Sequence, residues 1–163
     1  TEEDDRMTVT QEPGVLCRVP MRWGDMDPYG HVNNVEVVRL LEEARIAALG
    51  VPVGTGHEVE APLIPFFSAL PAGTQALITE NRIKYLRSLE YRNTPVEVRV
   101  WVVSARGGAL TLGFEITDVV SRRVCVRAET QLAFFVPATG TVLRITPGQQ
   151  EILAPYSGPP LFR

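Results

Sequence analysis

Cysteine and histidine are scarce in this chain, with two of each among 163 residues. Cys17 and Cys125 fall in apolar-alternating segments, where a free thiol behaves as a small hydrophobe, so they are expected to be unpaired. They share no paired spacing with His31 and His57, and no zinc or other metal site is expected. Two histidines also leave little for a serine triad, and no Gly-x-Ser-x-Gly elbow occurs. Gly54 and Gly56 lack the following lysine and the strand–helix setting of a phosphate loop. No apolar run approaches the roughly 18–20 residues that a membrane span needs. The segment Thr1-Glu2-Glu3-Asp4-Asp5-Arg6 has no apolar stretch of a secretory signal, and a cytoplasmic location is expected. Positive charge is not in excess either, since the net charge is −3. That argues against a general nucleic-acid binder, yet a local cluster of cations could still hold an anionic ligand.

What is present is globular in character, with 45% hydrophobic and 21% charged residues. The length suits one domain. Residues 1–13 are polar and aperiodic and are read as a flexible tail, leaving 14–163 as a single domain. Apolar and polar residues alternate from Leu16 to Trp23, which predicts a first strand. Val37, Leu40, Leu41, Ala44, Ala47 and Ala48 recur at helical spacing and predict a helix from about Asn34 to Leu49, stopped by Gly50 and Pro52. Four prolines and three glycines make Val51 to Thr74 irregular. Its apolar run Leu63-Ile64-Pro65-Phe66-Phe67 is read first as packing, then as a lid or the wall of a pocket. From Gln75 onward the pattern is all strand, with Ala76–Leu86, Pro95–Ser104, Ala109–Val119 and Arg122–Val136 as candidates. The expected class is therefore α+β, a long central helix wrapped by a curved antiparallel sheet of about five strands. Exposed sheet edges make pairing with a second copy a natural remedy.

The segment Arg22-Trp23-Gly24-Asp25-Met26-Asp27-Pro28-Tyr29-Gly30-His31-Val32-Asn33-Asn34 puts two acids, a histidine and two asparagines between strand and helix. Residue types alone allow an ordinary polar connection, with aspartates making turns and an asparagine capping the helix. They also allow a site. With Asn33 as cap serving the amide of Val35 or Glu36, the amide of Asn34 stays free to stabilise an oxyanion. Asp27, seven residues earlier, could attack a carbonyl or activate water. Asp25 is read as structural, because two facing carboxylates would raise one another's pKa. Glu36, Glu42 and Glu43 are read as a solvated or dimer-facing stripe.

The string Asp25-Met26-Asp27-Pro28-Tyr29-Gly30-His31-Val32-Asn33-Asn34 resembles the signature of the 4-hydroxybenzoyl-CoA thioesterase-like branch of hotdog-fold proteins. The similarity continues to Arg45 and returns at Arg82-Ile83-Lys84-Tyr85-Leu86-Arg87-Ser88-Leu89. The resemblance implies an acyl-CoA thioesterase, with acyl-carrier-protein esters as a further substrate class and coenzyme A present only as part of the substrate. It places the catalytic carboxylate on Asp27 and the oxyanion-hole amide on Asn34, and has His31 and Asn33 order the loop or orient substrate and water. The His-Val-Asn-Asn string matches fatty acyl members better than benzoyl-specific ones. Arg82, Lys84, Arg87, Arg106, Arg122 and Arg123 are candidates for the coenzyme A phosphates. A homodimer or larger homo-oligomer is implied as well. The competing functions are a non-catalytic acyl-CoA-binding module and a hotdog dehydratase or hydratase.

Overall fold

The computed structural model describes residues 12–58 and 61–162. Most of the expected tail thus lies outside the described residues. Its last two positions are held by one side chain: Arg99 forms an ion pair with Glu12 and donates to the carbonyl of Pro13.

Strand β1 (Val15–Val19) leads through a short 3-10 turn at Trp23–Asp25 into helix α1 (Asn34–Leu49). Strands β2 (Gln75–Tyr85), β3 (Val96–Arg106), β4 (Ala109–Asp118) and β5 (Arg123–Val136) follow, and β6 (Thr141–Val142) pairs briefly with β5. The chain closes through helix α2 (Pro147–Leu153). The sheet runs β1-β3-β4-β5-β2, antiparallel throughout.

Two expectations need correction in the elements themselves. The first strand stops at Val19 instead of Trp23, because Pro20 lacks the amide a strand needs and the chain then turns at Trp23–Asp25. The end of the chain is not all strand. Thr146 caps α2 through the amide of Gln149, whose side chain returns the bond, and Pro147 opens the first turn.

The curved antiparallel sheet of five main strands is as expected, while the helix spans the expected residues but is not a long central one. α1 has 16 residues, comes closest to β1 and β3, and reaches β2 where the Tyr85 hydroxyl bonds the Asn34 carbonyl. Val37, Leu40, Leu41, Ala44, Ala48 and Leu49 form its buried face, while Ala47 is exposed. The alanines let the helix sit close to Val96, Val98, Val100 and Val102, which are buried along the facing side of β3. At the far end of the sheet, β2 is exposed along almost its whole length.

Within the segment over 51–74, the apolar part from Ile64 to Leu70 serves as packing. Ile64, Phe66, Phe67 and Leu70 are buried, the Ile64 amide bonds the carbonyl of Ala48, and Phe66 and Phe67 meet Phe134 of β5. On the outer face of β3, Trp101 is buried although its register points it away from α1. Its indole donates to the carbonyl of Pro159, and Gly113 of β4 lies against the ring. The following residues run on across the strands, with the Leu161 amide on Glu129 and Arg82 over the ring of Phe162. Among the described residues no helix is long and apolar enough to cross a membrane.

Candidate active site

The loop before α1 is built around two carboxylates with different surroundings. Asp25 is fully buried. Its oxygens accept the backbone amide of Arg22 at 2.7 Å and the guanidinium groups of Arg22 and Arg39. Burial alone would raise the Asp25 pKa, but these amide and arginine contacts outweigh it and hold the carboxyl below the usual carboxylate range. The carbonyl of Asp25 accepts the Asn33 amide at 2.8 Å, so this residue ties the loop to both the helix start and the middle of α1.

Asp27 faces the other way. Its Oδ1 accepts the amides of Tyr29 at 2.8 Å and His31 at 3.1 Å, and its own amide donates to the carbonyl of His31 at 2.7 Å. Gly30, at φ 78°, provides the left-handed residue that closes this small turn. The second oxygen, Oδ2, has no hydrogen-bond partner among the described residues. The carboxylate is therefore fixed by one oxygen and open at the other.

His31 and Val32 are clamped from outside by the segment after β2. Val32 donates to Leu89, Tyr91 donates to Gly30, and His31 bridges to Glu90. His31 thus orders the loop through its backbone. Asn33 caps α1, its side chain accepting the Val35 amide at 3.1 Å. The Asn34 amide has no protein acceptor among the described residues, as expected when the cap serves the following residue.

These groups converge. Asp27, His31, Asn33 and Asn34 line one cavity of about 630 Å³. Val37, Val126 and the run from Tyr85 to Leu89 complete its wall. None of Glu36, Glu42 and Glu43 lines it. Glu36 is engaged by Arg22 and Arg39, while Glu42 and Glu43 lie beside Arg45 and Arg39 at the looser distances of 3.7 and 3.9 Å. Of the six cations proposed for coenzyme A, only Arg87 reaches the cavity, where it also donates to the carbonyl of Val124. His57 lies apart, beside a second cavity of about 420 Å³ near the end of α1.

Two residues of the wall, Tyr85 and Ser88, were not singled out as site residues by the sequence reading. Their signal was only indirect, through membership of the stretch Arg82–Leu89. Cys17 and Cys125 are unpaired and buried, and burial pushes both thiols up in pKa, which makes poor nucleophiles of them.

A helix seated on a curved antiparallel sheet, with a carboxylate and a helix tip sharing a cleft, is the hotdog arrangement. The chain belongs to the thioesterase-like superfamily, whose family model matches residues 21–154. A comparison with curated proteins finds no match. Among solved structures, a predicted thioesterase from Bacillus stearothermophilus superposes with a TM-score of 0.68 at 19% identity, over 89% of this chain and 97% of that one. A thioesterase-superfamily protein from Jannaschia sp. CCS1 gives 0.68 at 11% identity, over 92% and 99%. The DHNA-CoA thioesterase of Staphylococcus aureus gives 0.65 at 16% identity, over 85% and 87%. At these identities the likeness is one of fold.

Proposed function

We propose that this protein hydrolyses acyl-CoA thioesters to a free acid and coenzyme A, with Asp27 as the catalytic carboxylate. The observation that carries the reading is the shared cavity, where an oxygen of Asp27 and the amide of Asn34 are both left without protein partners. The thioester carbonyl oxygen lies against the Asn34 amide, where the positive end of α1 favours the negative charge that develops on it. Asp27 brings the attacking oxygen to the carbonyl carbon, as nucleophile or through a water it deprotonates. The carbon–sulfur bond then breaks and the thiolate leaves, taking up a proton; where Asp27 attacked directly, a water next hydrolyses the acyl-aspartyl anhydride, releasing the acid and restoring the carboxylate. His31 and Asn33 hold the carboxylate and the helix tip in place. Arg87, at the rim, contacts the anionic carrier.

An aliphatic acyl group is the favoured substrate, on the strength of the His31-Val32-Asn33-Asn34 string. The test is a hydrolysis screen over acyl-CoA chain lengths, with an aromatic thioester and an acyl-carrier-protein ester included, followed by the Asp27→Asn variant. The expected result is release of free thiol by the wild type and a loss of about 10²–10⁴-fold in kcat for the variant, with the fold intact. Saturable acyl-CoA binding without turnover would instead make the protein a binding module. Retention of full activity by Asp27→Asn would move the chemistry elsewhere. Label found in the Asp27 carboxylate after a single turnover in labelled water identifies direct attack, with the mixed anhydride opened at the aspartyl carbon, and trapping of an acylated Asp27 identifies it when the anhydride opens at the acyl carbon.

We also propose that two copies pair along β2. This strand ends the sheet, is exposed on both faces and carries Leu77, Ile78 and Tyr85 as exposed apolar side chains, with Val35 and Val38 exposed on α1. An antiparallel pairing centred on Asn81 sets Glu80 of each copy opposite Arg82 of the partner subunit.

A further inference from the structure

The amide that is offered to the thioester sits at the first residue of a helix, where the backbone has fewest bonds to hold it. Two side chains act on the peptide unit next to it. The N–H of Val35 is bound by the cap Asn33 at 3.1 Å. The carbonyl of the same unit belongs to Asn34, and it accepts the hydroxyl of Tyr85 at 3.1 Å. The peptide immediately after the free amide is therefore gripped at both ends, once from the loop and once from β2.

Tyr85 comes from the opposite wall of the cleft. It is the last residue of β2, 51 positions away from Asn34 in the chain, and its register partner Val126 lines the same cavity. Its side chain is 49% exposed, so the fold does not depend on it for core volume. Asp25 and Asn33 hold the helix tip from the loop side. Among the described residues the Tyr85 hydroxyl is the bond that ties this first turn to the sheet across the cleft.

We infer that Tyr85 is a positioning residue that fixes the Asn34 amide relative to Asp27. This rests on the thioesterase reading above. The hydroxyl is directed at the helix backbone, so it acts through the geometry of the oxyanion donor. A loosened donor weakens the contact that grows as charge reaches the carbonyl oxygen, and so affects the transition state more than substrate binding.

The test is Tyr85→Phe, which removes one oxygen and keeps the ring. The expected outcome is a fall of about 5- to 30-fold in kcat, smaller than the roughly 10²–10³-fold of losing an oxyanion donor outright, with KM changed less than about twofold. The melting temperature should stay within about 2 °C of wild type, as for a half-exposed bond of small net worth. A second readout does not depend on turnover. Hydrogen exchange at the Val35 and Glu36 amides, both bonded to Asn33, should quicken several-fold in the variant while the rest of α1 is unchanged. A kcat within twofold of wild type, or a rise in KM with kcat untouched, overturns the inference. So does unchanged exchange in the first turn. Should the wild type hydrolyse no thioester at all, the functional reading fails, and exchange still decides whether Tyr85 holds the helix tip.

Discussion

Asp25 and Asp27 stand two residues apart and do opposite work. Mutual repulsion of two facing carboxylates already points to a structural role for Asp25. The structure supplies a stronger reason: Arg22 and Arg39 surround the buried Asp25, while Asp27 keeps one oxygen open to the cleft. In the sequence Arg39 is one more charged residue between the apolar positions of the helix. Nothing in a one-dimensional reading brings it 14 positions back to the loop. Asp25→Asn is expected to destabilise the protein by about 2 kcal/mol at neutral pH, because it weakens the charge-assisted bonds that the buried carboxylate receives from the Arg22 amide and from the part-buried Arg39. The pH dependence follows from the lowered carboxyl. Asp25 takes up its proton at lower pH in the folded chain than in the unfolded one, so its contribution is complete above the ordinary aspartate range near pH ~4 and is lost as pH falls through the folded value. Denaturant titrations of both proteins from neutral pH downward should show the gap between them narrowing only in acid. A constant gap would remove the ionic role. Tyr85 teaches the complementary lesson, since its partner Asn34 lies across the fold and local pattern carries no trace of the bond.

The elements were legible where burial repeats with a fixed period. β3 and β4 match their alternation closely, since Val96, Val98, Val100 and Val102, and Leu110, Leu112, Phe114 and Ile116, are all buried. α1 was legible from both its apolar stripe and its cap. The first strand was overextended because alternation was followed through Pro20. Helix α2 was missed although Thr146-Pro147-Gly148-Gln149 holds a cap, a first-turn proline and the returning glutamine. A seven-residue helix has too short a stripe to register against the strands before it. The outer face of β3 was also opaque, because what covers Trp101 comes from the two far ends of the described chain, Pro13 and Gly158. A side-chain carbon added at Gly113 would come within 2.5 Å of the Trp101 ring. Gly113→Ala is therefore expected to cost about 1–3 kcal/mol by overpacking, read as a lower midpoint in chemical denaturation. An unchanged midpoint would mean that the ring can move aside freely.

At the scale of the whole molecule, β2 is what one chain leaves unfinished. An 11-residue strand with one unpaired edge and exposed apolar side chains is an invitation to uncontrolled association unless something covers it. Sedimentation is expected to report twice the mass of one chain. Glu80→Arg should shift the protein toward single chains by placing like charges across the pairing, and adding Arg82→Glu should restore it. A wild type that sediments as a stable, active single chain would end the proposal. The buried thiols of Cys17 and Cys125 have a practical corollary at this same scale. Hydrolysis of a thioester is followed most directly by colouring the sulfhydryl it liberates, and an enzyme with surface cysteines contaminates that signal with its own. Here both sulfurs are sealed in the interior, so the reagent meets the product first and the protein stays dark until it unfolds.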